Sequence, residues 1–272
     1  MSLITITSGI GCGEDTVARI LGEKLDLAVF DDQKLQDEAL EMGIASEDIE
    51  DFDEKAPSLF SRLLTFKPQS YLELMAAVIY KISGKGDAII AGHGASFLLR
   101  DFGCAFHVRL HSSESSRIQH LVDEQGMSPD AAKKLMQKTD DERKGFLRFA
   151  YRMDWDDNSL YDLVINRDKL GVEGTVILIV AALDVDQIKE CSLSAMESMK
   201  QLSLGKRVEA AIIKDCVKPG NFHVTVPEPG VVRLTGIINP LESKDKLIEL
   251  VKAIPGVEKL IMAVETERIH DI

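Results

Sequence analysis

Residues 2–16 read SLITITSGIGCGEDT, and this stretch decides the fold. A short β-branched run at 2–7 is followed by a glycine-rich turn, after which Val17, Leu21 and Leu25 recur at helical i, i+4 spacing. A glycine-rich turn between strand and helix aims backbone N–H groups and the helix N-terminus at an anion. A complete phosphate loop, GxxxxGK[ST], starts with glycine, sets a lysine against the β- and γ-phosphates and offers a hydroxyl to magnesium. Here Ser8 stands first and Glu14 takes the place of the lysine. Gly9, Gly11, Cys12, Gly13, Glu14, Asp15 and Thr16 are therefore candidate nucleotide- or phosphate-binding residues, with Asp15 and Thr16 nearest to a magnesium ion. The alternative is a strand-to-helix turn with no ligand.

The pattern continues outward from that loop. Helical spacing covers about 33–43 and 70–84, and Gly84-Lys85-Gly86-Asp87 leads into an apolar strand at Ala88–Ala91, capped by a second glycine turn, GHGA at 92–95. A strand at Ala105–Leu110 precedes Ser112-Ser113-Glu114, an N-capping sequence for a helix that carries Arg117 and His120. Ser128-Pro129-Asp130 starts another helix, with serine as cap and proline at the first position, running through KKLMQKTDDERKGFLRFAYR. DLVIN at 162–166 is the last strand of the series. Alternating strands and helices with short turns predict a three-layer α/β/α domain on a mostly parallel sheet.

After Leu183 the pattern changes. Residues 184–203 read as a polar helix ended by Gly205, a connector at 184–205. Next come a helix at 206–215, a strand at 222–226, a Pro-Glu-Pro-Gly turn, a strand at 231–237, a helix at 243–253, a Pro-Gly turn at 255–256 and a strand at 257–264. This is a second, small α+β domain. The expected limits are 1–183, 184–205 and 206–268.

Bulk properties narrow the function. A chain of 272 residues favours two domains, given roughly 100–200 residues per domain. With 45% hydrophobic and 28% charged residues the composition is that of an ordinary globular protein. A net charge of −13 opposes nucleic-acid backbones and anionic lipid, while a local cluster can still hold one small anion. Nucleic-acid partners are not expected. The N-terminus lacks the basic region of a signal peptide. The apolar runs at 176–183 and 72–80 fall short of the ~20 residues that span a bilayer. A cytoplasmic protein without membrane insertion is expected. Cys12, Cys104, Cys191 and Cys216 show neither CxxC spacing nor nearby histidines and read as reduced thiols.

Several separated segments resemble the cytidylate kinase-like family across roughly 1–183. They are the ITIT…GxGCG start, FDEKAPS at 52–58, AGHGASFLLRD at 91–101, FHVRLHSSESSRIQHLVDEQGMSPDAA at 106–132 and KTDDERKGFLRFAYRMDWDDNSLYDLVIN at 138–166. The resemblance implies a phosphate-loop fold that moves a phosphoryl group from ATP, with Mg2+, to a CMP-like nucleoside monophosphate. It assigns Arg143, Arg148 and Arg152 to a catalytic lid, where arginine forks neutralise the equatorial oxygens of the group in transfer. It sets Asp32 and Lys34 where the acceptor binds, and His93 where an arginine faces a phosphate. True cytidylate kinases carry Asp-Gly-Arg-Asp after the central strand; Ala91-Gly92-His93-Gly94 stands here. Other readings remain open: the arginines as a solvated helix face, and Asp31, Asp32 and Lys34 as an N-cap. Asp154, Asp156 and Asp157 read as a turn. No role falls to His107, His111 or His120.

The C-terminal module resembles a BON domain, through VEAAIIKD at 208–215 and the strand-Gly-helix-Gly-Val-strand order at 223–264, with Gly236 and Gly256 at its turns. The resemblance implies binding of a small ligand or protein partner, or regulation, with no catalytic constellation. Three functions follow: a nucleoside monophosphate kinase, a nucleotide-binding regulatory protein without transfer chemistry, or a phosphotransferase whose acceptor is not a nucleotide.

Overall fold

The computed structural model describes residues 3–44, 68–188, 190–215, 221–238 and 244–266. FDEKAPS at 52–58 and Cys216 lie outside these. The chain divides into two compact units, Met1–Arg62 with Lys85–Leu193, and Leu63–Gly84 with Ser194–Ile272.

The first unit is built on β1 (Leu3–Ser8), whose six residues are all buried, as a strand covered on both faces must be. Its other strands are β2 (Ala28–Phe30), β3 (Ala88–Ala91), β4 (Ala105–His111) and β5 (Leu163–Asn166). All pair in parallel, in the order β2-β3-β1-β4-β5. After β1 the chain turns to one side of the sheet and after β4 to the other, so the loops at the carboxyl end of β1 border a crevice, the usual ligand position in such sheets.

Helices follow the sequence patterns. In α1 (Glu14–Leu25), Val17, Ala18 and Leu21 are buried and join Ile4, Ile6, Ile89 and Val108 in the core. Asp31 caps α2 (Asp32–Glu41), its carboxylate accepting from the Lys34 N–H. A short helix, α4, spans Ala95–Leu98. Ser113 caps α5 (Glu114–Gln125), and Ser128 with Pro129 opens α6 (Pro129–Tyr151) as their types dictate. The apolar run at 176–183 falls in α7 (Gly171–Leu183), where Val176 and Ile179 pack on the core beside α1. The aspartates around Trp155 make a turn: Asp154 accepts from the Asp156 N–H and Asp157 from the Ser159 N–H, opening a 3-10 turn at Asn158–Leu160. Among the described residues no helix is long and apolar enough to cross a membrane.

The second unit pairs α3 (Pro68–Ser83) with α8 (Leu193–Asp215) and a sheet of β6 (Phe222–Glu228), β7 (Val231–Ile238) and β8 (Lys259–Thr266), with α9 (Lys244–Lys252) between the last two strands. β6 and β7 are antiparallel, β7 and β8 parallel. Val208 and Ile212 of α8 pack with Val232, Leu234, Leu247 and Val251 in its core. Ser203 and Ser70 bond the carbonyls of Ala77 and Ala210, tying α3 to α8.

Two expectations change here. Gly205 does not end a connector helix, because α8 runs through it, and the site of its missing Cβ lies 3.6 Å from Val226. Packing against β6 overrides the helix-breaking tendency of one glycine, which is only about 1 kcal/mol. The connector and the first helix of the C-terminal module are thus one element, and the segment at 68–83 groups with it. Nor are all the cysteines thiols: Cys104 and Cys191 form a disulfide with Cα atoms 4.8 Å apart, while Cys12 is free and buried. Eighty-seven residues separate that pair, so no local spacing could announce it.

His107 on β4 is 6% exposed, and its Nδ1 lies 2.8 Å from the Thr5 hydroxyl. Burial pushes its pKa below the ordinary 6.5. The unfolded chain therefore takes up a proton on this residue where the folded chain resists it, and stability is lost as pH falls below about 6.5. Urea denaturation followed from about pH 7.5 down to about pH 5 is expected to show a falling midpoint in the native protein and a flatter slope in His107→Gln; equal slopes would contradict this.

Candidate functional site

The turn between β1 and α1 closes with the Cys12 N–H on the Gly9 carbonyl at 3.2 Å. Gly13 caps α1 in the left-handed region at φ 66°, and a Cβ there would stand 2.2 Å from Arg167 Nη1. The positive φ favours glycine, and any Cβ there would oblige the Arg167 side chain to move. Arg167 follows β5, so three strand ends converge on this turn with those of β1 and β3.

Two further arginines hold the turn from α5 and α6. Arg117 Nε donates to the Ile10 carbonyl at 2.7 Å, and its two terminal nitrogens donate to both carboxylate oxygens of Asp140 at 2.8 Å each. Arg143 donates to the Ser8 carbonyl at 2.6 Å. In a trans peptide the C=O and the next N–H point in opposite directions. Anchoring the carbonyls of residues 8 and 10 thus turns the N–H groups of Gly9 and Gly11 away from those arginines.

A cavity of about 280 Å³ opens at the turn, walled by residues 8–16, Asp31, Asp32, Ala91, Gly92, His120, Leu121, Glu124 and Arg143. The sequence-derived candidates Gly9, Gly11, Cys12, Gly13, Glu14, Asp15, Thr16, Asp32 and Arg143 meet there. Lys34 instead walls a neighbouring cavity of about 610 Å³, which shares Asp15, Thr16 and Asp31. His93 is fully buried, and its Nε2 contacts Asp32. Arg148 is exposed and paired with Asp154 at 3.2 Å; Arg152 ends α6 at φ 54°. Positions five and nine residues beyond Arg143 are rotated by roughly 140° and 180° round a helix of about 3.6 residues per turn, so one face cannot carry all three arginines to the turn.

Electrostatics divide the cavity. Glu14, Asp15, Asp31, Asp32 and Glu124 line it together with Arg143 and His120, whose Nε2 lies 3.3 Å from Glu124, and Glu14 accepts a short hydrogen bond from the Ser8 hydroxyl. Burial pushes the Cys12 thiol upward, Arg117 opposing. Thr16, Asp15, Asp31 and Asp32 present oxygen donors of the kind a hard divalent cation takes. Groups of three or more His, Cys, Asp or Glu arranged for a metal are absent among the described residues. Magnesium needs only one or two carboxylates besides phosphate oxygens and water, so the donor set fits it. Arg117, Asp140 and Arg167 carry no role on the sequence alone, since nothing in one sequence says that they turn toward the glycines.

A glycine turn at the carboxyl end of a central parallel strand, opening a helix and encircled by arginines, defines a phosphate-loop α/β protein. The chain belongs to the Cytidylate kinase-like family, whose pattern matches residues 3–169. The cytidylate kinase of Thermoplasma volcanium is 25% identical over 190 residues, spanning 69% of this chain and 94% of its own. That of Methanocaldococcus jannaschii is 26% identical over 186 residues, 67% of this chain and 97% of the relative. An uncharacterized protein from Eubacterium ventriosum shares the fold, with a TM-score of 0.54 and 20% identity over 67% of this chain and 98% of that one.

Glu14 sets a negative charge at the mouth of α1, where an anion would gain from the helix N-terminus. Glu14→Lys is expected to tighten ATP binding at least about tenfold, the size of effect a charge-assisted hydrogen bond carries. Calorimetric titration checks this, and unchanged or weaker affinity would remove Glu14 from the phosphates.

Proposed function

We propose that this chain transfers the γ-phosphoryl group of ATP to the phosphate of a CMP-like nucleoside monophosphate. An oxygen of the acceptor phosphate bonds to the γ-phosphorus as the bond from that phosphorus to the β,γ-bridging oxygen breaks, leaving ADP and a nucleoside diphosphate. The observation that carries the reading is the meeting of the glycine turn, Thr16 and Arg143 around one cavity at the carboxyl end of β1. Membership of the family and the names of the two archaeal relatives support it.

The residues divide the work. The turn at 9–16 cradles the donor phosphates with backbone N–H groups. Arg143 neutralises charge on the group in transfer, a contribution preorganised by its bond to the Ser8 carbonyl. Arg148 and Arg152, on the far side of α6 from Arg143, act as lid arms that reach the phosphates through a rearrangement of the end of α6 on closure. Magnesium, when bound with ATP, neutralises phosphate charge, and Thr16 with Asp15 would hold it. Asp32 and Lys34 contact the acceptor; His93 sets the position of Asp32. The C-terminal unit acts as a BON-like module that binds a small ligand or a protein partner and regulates the kinase domain, its first helix continuous over Leu193–Asp215. A cytoplasmic setting, where ATP is the donor, suits this chemistry.

ADP release from ATP, Mg2+ and CMP tests the proposal directly; binding of both nucleotides without turnover would overturn transfer. Arg143→Ala is expected to lower kcat/KM by at least about 100-fold, the cost of losing one preorganised donor. Arg148→Ala is expected to slow transfer with ATP affinity kept; unchanged turnover would exclude Arg148 from the lid.

A further inference from the structure

Behind the phosphate turn lies a second, smaller cavity of about 20 Å³, bounded by Ser8, Gly92, His93, Phe146, Arg143 and Trp155. Ser8, Gly92 and Arg143 also wall the larger cavity, so the two are neighbours across a shared boundary. The small one has room for a single water-sized atom, since about 10–15 Å³ suffices for one.

Trp155 is only 6% exposed, and its indole Nε1 is buried with no hydrogen-bond partner among the described residues. Buried tryptophan N–H groups normally find an acceptor, and leaving one unmet costs stability. The ring is held firmly. The Arg109 guanidinium lies 5.8 Å from its centre and 5.6 Å from that of Tyr161, and Lys144 Nζ stands 6.0 Å from the Trp155 ring. The Tyr161 hydroxyl donates to the Trp155 carbonyl at 2.9 Å, and Asp156 takes a 2.6 Å hydrogen bond from Arg109. So much fixing of one side chain, with its only polar atom unmet, marks a preorganised donor.

We propose that Trp155 Nε1 donates to an oxygen of the acceptor's phosphate and so helps to select a phosphorylated acceptor. The indole N–H and the Arg143 guanidinium are donors without acceptor capacity, and Phe146 adds an apolar wall, a setting that strengthens a hydrogen bond to an anionic oxygen. A neutral nucleoside has no oxygen of this charge to offer. The inference rests on the phosphotransfer reading and gives it a specificity-determining residue on the acceptor side.

Trp155 is the single tryptophan of the chain, so its fluorescence reports this site alone. Titrating the full-length protein with CMP is expected to change the emission, inorganic phosphate is expected to do so at higher concentration, and cytidine is expected to leave it unchanged. An equal response to cytidine would transfer the contact from phosphate to nucleoside and overturn the assignment, as would no response to CMP. Trp155→Phe keeps a ring and removes the N–H; KM for CMP is expected to rise about tenfold, with KM for ATP moving less than about twofold, as for one hydrogen bond to a charged group. Unchanged KM for CMP would overturn the role of Trp155 with transfer intact. Absence of turnover in the native protein would instead sink the phosphotransfer reading, and the emission titrations would then decide Trp155 by themselves.

Discussion

The Arg117 side chain joins three elements of the first unit, and the shape of the phosphate turn depends on it. One guanidinium meets the Ile10 carbonyl and both oxygens of Asp140, linking the β1–α1 turn to α5 and α6. Bidentate arginine–carboxylate pairs are directional as well as strong, so the turn is fixed in orientation and not merely tethered. The pair is mostly shielded from water, where removing one partner leaves a charge unmet and costs about 3–5 kcal/mol. Arg143 on the same long helix makes the second anchor, at Ser8.

Those anchors bear on the charge problem at the site. The lysine of a full phosphate loop is replaced by Glu14, yet Arg117, Arg143 and Arg167 surround the same turn. Their positive charge comes from elements remote in sequence instead of from the loop itself. Arg117 is matched by Asp140, and Arg143 walls the cavity. The turn thus keeps the geometry of an anion site while its local charge is mixed, and a phosphate bound there gains from oriented amides more than from net attraction.

Much of the first unit was legible in the sequence because its signals are local. β1 announces itself by a β-branched run, α5 and α6 by serine caps, and the phosphate turn by glycines between strand and helix. The Asp31 cap resolves one reading left open, while Asp32 turns to His93. What stayed hidden depends on contacts between distant residues. The Cys104–Cys191 bond, the continuation of α8 through Gly205, and the turn of Arg117 and Arg167 toward the glycines follow from packing, which one sequence does not display. Helix periodicity alone separates Arg143 from Arg148 and Arg152.

The central claim is that the amides of residues 9–16 hold the donor phosphates despite Glu14. Hydrogen exchange of those amides, followed with and without saturating ATP and Mg2+, tests it most directly. Slower exchange confined to that segment and its neighbours at the end of β3 and along α6 is expected. Unchanged exchange in residues 9–16 under conditions where ATP is bound would place the nucleotide elsewhere and contradict the account.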